Sequence, residues 1–194
     1  MIKTITKNVS KNQDQILSNL DYESVVVYRF LKSEYDKGNI LNNPFFQFVF
    51  RSFYRMDGAG LSNRMKEHYF QLLENKERNL EIILSELYDI KNIKKQNTIQ
   101  FSFATKLVHT IDNDMPIYST EIASCLDKKP RPTGSKNERI LSCVVIYGSL
   151  MRLYDELKKN EEINDTISKF RLKFNVTEGQ ISNTKVLDFI LWSL

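Results

Sequence analysis

The sequence predicts an all-α protein, on three observations. Apolar residues recur at three- and four-residue spacing along most of the 194 residues, the period of helices with one buried face. Residues that start and stop helices bracket these stripes. No segment alternates with the period of two that marks a β-hairpin, and no internal repeat is present. A hydrophobic fraction of 41% is ordinary for a buried core, and this length suits one domain. The expected unit is a single helical domain over 1–194, with lobes at 43–95 and at 1–42 plus 98–194.

The elements follow in order. Tyr22, Val26, Val27, Phe30 and Leu31 form a helical stripe that Gly38 stops. Asn43-Pro44 reads as an N-cap followed by proline at the first helical position. The helix it opens runs to about Arg55, with Phe46, Val49, Phe50 and Phe53 on one face, and Gly58-Ala59-Gly60 breaks it. A third helix starts near Ser62 with Met65, Tyr69, Leu72 and Leu73 inward, and a fourth carries Leu80, Ile83, Leu84 and Leu87. Polar Asn92 to Asn97 is a loop.

Ser102 or Thr105 is expected to open a short helix through Leu107, Val108 and Ile111. Asp112 to Pro116 is a turn by composition, and Ser119 caps the next helix, through Ile122, Ala123 and Leu126. Pro130, Pro132 and Gly134 exclude regular structure from 127 to 137. Ser135 and Glu138 form a capping box ahead of a long helix bearing Ile140, Val144, Tyr147, Met151 and Tyr154. Two shorter helices, around Ile163 to Phe174 and Thr184 to Leu194, complete eight or so.

Several chemistries are excluded. There is no phosphate-binding G-x-x-x-x-G-K-[ST], no G-x-G-x-x-G and no G-x-S-x-G. Two cysteines and two histidines, in neither C-x-x-C nor H-x-x-x-H spacing, predict no metal site and no cofactor. Cys125 and Cys143 read as reduced, packed thiols. The carboxylate pairs Asp112/Asp114 and Glu161/Glu162 fall in polar turns and read as solvated. No stretch is apolar for long enough to cross a bilayer, and the first residues carry no signal-like apolar run, so a cytoplasmic protein is expected.

Lys106 stands apart, in Phe101-Ser-Phe-Ala-Thr-Lys-Leu-Val-His-Thr-Ile111, a segment otherwise small or apolar. Either its stem packs while the ammonium reaches water, or the amine is partly desolvated and nucleophilic.

Asn43-Pro-Phe-Phe-Gln-Phe-Val-Phe-Arg-Ser-Phe-Tyr54, the glycine-containing loop, and Leu61-Ser-Asn-Arg-Met-Lys-Glu-His-Tyr-Phe-Gln-Leu-Leu73 together resemble the opening of the helix-hairpin-helix DNA glycosylases. Thr105-Lys106-Leu-Val-His, a turn, and Pro116-Ile-Tyr-Ser-Thr-Glu121 resemble that family's catalytic stretch, and Tyr147-Gly148 falls in order on the long helix. The likeness runs from Pro44 to about Leu157 in order and pattern. It implies a two-lobed helical fold, double-stranded DNA as partner, and base excision from a flipped nucleotide, with strand cleavage when a lysine is the nucleophile.

Carried over residue by residue, the resemblance makes Lys106 the nucleophile and puts Ser119 where the family has its aspartate. Glu121 is the nearest carboxylate beyond it. It makes Tyr54 and Tyr118 candidates to stack on the extruded base. Two departures stand out: Ile99-Gln-Phe-Ser-Phe103 lacks the hairpin glycines that grip a phosphate, and Ser119 offers no carboxylate.

Basic side chains are available for the DNA backbone. Lys128, Lys129, Arg131, Lys136 and Arg139 flank the proline-rich turn and a helix N-terminus, and Arg55 and Arg64 bracket the Gly58-Ala59-Gly60 loop. A net charge of +4 permits a polyanionic partner without demanding one. The other function class compatible with these residues is a non-catalytic DNA-binding or protein-interaction domain that keeps the fold.

Overall fold

The computed structural model describes residues 2–124, 126 and 129–194, and among these it is helical with no strand. Ten α-helices run in the order α1 (Ile2–Asn19), α2 (Tyr22–Lys37), α3 (Pro44–Phe53), α4 (Asn63–Glu74), α5 (Leu80–Asp89), α6 (Phe101–Ile111), α7 (Thr120–Ala123), α8 (Lys136–Lys158), α9 (Glu161–Phe174) and α10 (Asn183–Trp192). Two 3-10 turns, Ile40–Asn42 and Asp57–Ala59, precede α3 and α4.

Local chemistry sets most of the starts. Asn43 Oδ1 accepts from the Phe46 amide ahead of α3, with Pro44 at the first helical position. Ser62 caps α4, Asn79 caps α5 through two amides, and Asn160 does the same for α9. Ser135 and Glu138 close the reciprocal box on α8. α3 ends in a residue with left-handed backbone: Arg55 has φ of 54°. There the Met56 amide donates to the Arg51 carbonyl and the Arg55 amide to that of Ser52, the two bonds of a Schellman ending.

Two expectations are corrected, and one helix is added to those expected. α6 begins at Phe101 behind Gln100, because the Thr105 hydroxyl is used inside the helix, donating to the Ser102 carbonyl. α7 stops at Ala123, where the Ser124 amide and hydroxyl both turn back to the Glu121 carbonyl. α1 is a full helix whose inward face, with Ile5, Val9, Ile16 and Leu17, also buries Thr6 and Gln13. Those polar interruptions blur its stripe in the sequence.

One continuous buried cluster joins residues of every helix from α1 to α10. α1 packs on α9, α2 on α3, and α5 on both α6 and α8. α10 contacts α1, α7, α8 and α9 and is buried from Thr184 to Leu191. That placement brings the last helix against the segment that follows α6.

Candidate active site

α6 is buried over most of its circumference through Phe101, Phe103, Ala104, Thr105, Leu107, Val108 and His109. Lys106 is half-buried, and its ammonium is met by rings. Nζ lies 4.7 Å from the centre of the Phe103 ring and 5.4 Å from that of Tyr54. Burial pushes the amine down to about 8; Asp188 and Glu121 act against that fall, and Lys185 and Arg55 add to it. Tyr54 is itself only 8% exposed. Its ring lies 4.7 Å from Phe50 and 4.9 Å from Phe53. Burial, with the nearby Asp188 charge, keeps its phenol neutral well above the usual range.

The turn that carries the chain from Lys106 to Ser119 is fastened from several sides. The Tyr118 amide donates to Thr105 Oγ1 at 3.0 Å, tying the residue before Ser119 to the residue before Lys106. Tyr147 Oη on α8 donates to the Pro116 carbonyl at 3.1 Å, and Ser182 Oγ donates to that of Asn113 at 2.6 Å. His109 is fully buried, and its Nδ1 lies 2.6 Å from the Met115 carbonyl. A carbonyl only accepts, so Nδ1 carries the proton. Nε2, 3.0 Å from Tyr28 Oη, is then the acceptor of the neutral ring, with the Asn113 carboxamide 2.9 Å from the same hydroxyl. Burial pushes this imidazole down to about 4.

Ser119 uses its hydroxyl as the N-cap of α7, accepting from the Ile122 amide at 3.2 Å. Glu121 is exposed on that short helix and within electrostatic reach of Lys106. Tyr118 is half-buried, with its ring 4.3 Å from that of Phe101. Its face is therefore shared with its own chain.

The last helix adds two residues that sequence reasoning missed. Lys185 and Asp188 are 3% and 9% exposed, and Lys185 Nζ lies 2.6 Å from Asp188 Oδ2. The Lys185 ammonium stands over Phe189 at 4.5 Å, Tyr28 at 5.0 Å and Phe53 at 5.9 Å. In sequence the pair looks like an ordinary i, i+3 surface couple. Rings from α2 and α3, together with Phe189 of α10 itself, cover it.

The basic residues divide. Arg55 is exposed and close enough to Lys106 to influence its charge. Lys129 is exposed; Lys128, like Cys125, lies outside the described residues. Arg131 is paired loosely with Glu138 at 3.7 Å. Lys136 binds Asp89 at 2.7 Å, and both Lys136 and Arg139 lie 5.7 Å from the Tyr88 ring. Arg64 opens onto a cavity of about 500 Å³ that it shares with Glu67, His68, Gln71, Glu86 and Asp89. Carboxylates outnumber the arginine there, a poor setting for a phosphate.

The structure thus brings Tyr54, Arg55 and Glu121 to bear on the Lys106 amine, and it sets Arg64, Lys136 and Arg139 about the α4–α5–α8 surface. Among the described residues, no group of three His, Cys, Asp or Glu side chains could hold a metal, and no helix is long and apolar enough to cross a membrane. No protein-family model, curated protein or solved structure matches the chain. The function is accordingly read from the site itself.

Proposed function

We propose that the chain is a base-excision enzyme acting on DNA, a glycosylase with strand-cleaving activity, in which Lys106 attacks a nucleotide flipped out of the duplex. The observation that carries this reading is the setting of that amine: half-buried on aromatic rings, with its pKa lowered to about 8. At pH 7 about a tenth of such an amine is unprotonated, against about one part in three thousand for an ordinary lysine. A neutral, positioned amine is what nucleophilic attack on a sugar carbon requires.

The chemistry follows. Unprotonated Nζ bonds to C1′ as the bond from C1′ to the base nitrogen breaks. The base leaves with that electron pair and takes up a proton from water, while the exposed Glu121 carboxylate is the near acceptor for the proton that Nζ gives up next. Nζ then gives up a proton, O4′ gains one, and the sugar ring opens to an iminium between Nζ and C1′. Loss of a C2′ proton from that iminium expels the 3′ phosphate and cuts the strand.

Arg55 supports the same reading. It is exposed as the left-handed residue that ends α3, a conformation that Asn39, Lys76, Lys95 and Asn175 also adopt, and it stands beside the amine. A cation held there meets the phosphate flanking a flipped nucleotide.

Borohydride trapping on duplexes carrying abasic sites or damaged bases tests the proposal. A covalent adduct is expected from the native protein and none from Lys106→Ala; absence of both adduct and released base across a broad lesion panel would sink it. Ser119→Asp keeps a good cap and adds a carboxylate, so faster excision is expected if position 119 borders the reacting sugar.

One observation favours the non-catalytic reading: the Ser119 hydroxyl is already occupied as a helix cap. That alternative requires DNA binding that weakens steeply with salt and yields no adduct under any condition.

A further inference from the structure

Two lysines converge on the Phe53–Tyr54 ring pair, and one of them carries an aspartate with it. Lys106 reaches Tyr54 from α6, with its Nζ 5.4 Å from the ring centre, and Lys185 reaches Phe53 from α10, with its Nζ 5.9 Å away. The two rings are 4.9 Å apart. Asp188, gripped by Lys185 at 2.6 Å, lies one helical turn further along α10, which packs on α7. Both members of the ion pair are below 10% exposed.

A buried ion pair of this kind is poor evidence of stabilisation. Desolvating both charges costs several kcal/mol, and apolar residues of similar volume often replace such pairs without loss. A helix that is otherwise apolar from Val186 to Leu191 had an inexpensive alternative at these positions. The charges therefore call for a use.

We propose that the Lys185–Asp188 pair is a positioning device acting on Lys106 across the Phe53–Tyr54 ring pair that both lysines face: the Asp188 carboxylate attracts the Lys106 ammonium, while Lys185 holds Asp188 in place and opposes that attraction. This rests on the excision reading for its purpose, but not for its test. A cation beside a nucleophilic lysine favours the free amine, and a carboxylate favours the ammonium. The two residues therefore pull Lys106 in opposite directions, and their balance adjusts the amount of free amine that burial makes available near neutral pH. The remaining charged groups within reach are Glu121 on α7 and Arg55 beyond α3. The titratable rings on neighbouring elements are Tyr54, Tyr28 and His109, and burial keeps all of them neutral at pH 7.

The opposed pulls give a readout that a structural role does not. Trace acetylation of the full chain with acetic anhydride from pH 6 to 10, followed by mass spectrometry of the Lys106 peptide, measures the titration midpoint of that amine without DNA. Asp188→Asn is expected to lower the midpoint and Lys185→Met to raise it, each by roughly one pH unit. Lys185→Arg, which keeps the charge and the ion pair, is expected to restore the native value. If removing one partner unfolds the chain, Lys185→Met/Asp188→Leu leaves no lone buried charge. Its midpoint is expected to fall, since Asp188 is the larger of the two influences.

Midpoints that do not move, or that move together toward the value of a free lysine, overturn the proposal: the pair is then packing alone. Borohydride trapping at pH 7 on an abasic duplex provides the second arm, with Lys185→Met expected to react about tenfold more slowly for a one-unit rise in midpoint. Opposite shifts in labelling, with neither adduct nor released base from any variant across the lesion panel, would leave the pair as proposed and remove the excision reading. An adduct from the native protein with same-direction shifts would do the reverse.

Discussion

Phe50 determines where the Tyr54 ring can stand. It is fully buried, and its ring lies within 4.7 to 5.8 Å of Tyr54, Phe46, Phe70 and Tyr69. Truncating such a side chain removes its transfer energy and leaves a cavity that rigid aromatic neighbours cannot close. Phe50→Ala is expected to cost about 3–5 kcal/mol in urea unfolding. In whatever fraction stays folded, it also frees Tyr54 from the position it holds under Lys106. Arg55 makes the opposite trade. Arg55→Gly relieves the left-handed backbone and is expected to stabilise the chain by about 0.5 kcal/mol, after the extra flexibility of glycine in the unfolded chain is counted. The same change removes one phosphate contact under the excision reading, so the slope of log affinity against log salt should fall by about one. A variant more stable yet weaker on DNA identifies a residue kept for binding, whereas unchanged affinity at all salt concentrations removes Arg55 from the interface.

At the scale of the helix, the long α8 depends on its N-terminal box, where Ser135 accepts from the Glu138 amide and Glu138 accepts from the Ser135 amide. Ser135→Ala is expected to cost about 1 kcal/mol, read as a lower thermal midpoint with native secondary structure retained. Caps of this sort are written in four consecutive residues, which is why Asn43, Ser62, Ser119 and Ser135 were all legible in the sequence. So were the stripes of α3 to α5, where each buried position is apolar. α1 was not legible, because two of its buried positions, Thr6 and Gln13, are polar. The Gln13 side chain finds its partner in Thr166 of α9, far along the chain. The extent of α7 was misread because the serine that ends it, Ser124, looks in sequence like any polar helix residue. In the candidate site the division is the same. Lys106 was visible by contrast with its apolar neighbours, while Lys185 and Asp188 were hidden, because two of the three rings over Lys185 arrive from α2 and α3.

Over the whole molecule, His109 is where these distant elements meet. Through Tyr28 it holds α2, through the Met115 carbonyl it holds the turn before α7, and Asn113 in that turn is held in its own right by Ser182 at the start of α10. The ring is fully buried and kept neutral, with burial the main cause and the nearby Lys185 charge the next. Its pKa falls from an ordinary value of 6.5 to about 4 in the folded chain. Between these two values the unfolded chain binds a proton that the folded chain does not, so stability is full above pH 6.5 and declines as pH falls toward 4. At roughly 1.4 kcal/mol per pH unit the loss across that window amounts to about 3 kcal/mol. It levels off below the folded value, where both states carry the proton. Urea unfolding at a series of pH values from 7 to 4 should therefore show a decline with this component. His109→Gln, which keeps hydrogen-bonding capacity but does not titrate, should be less stable at pH 7 and lose less on acidification. Parallel curves for the two proteins would mean that the ring takes up its proton in place, with the Tyr28 and Met115 contacts surviving as bonds donated by an imidazolium. Because the same ring anchors the turn between Lys106 and Ser119, a chain that loosens here on acidification is also expected to lose the geometry of the Lys106 site before its helices unfold, seen as loss of the near-ultraviolet circular dichroism of the packed tyrosines while the far-ultraviolet helical signal is still native.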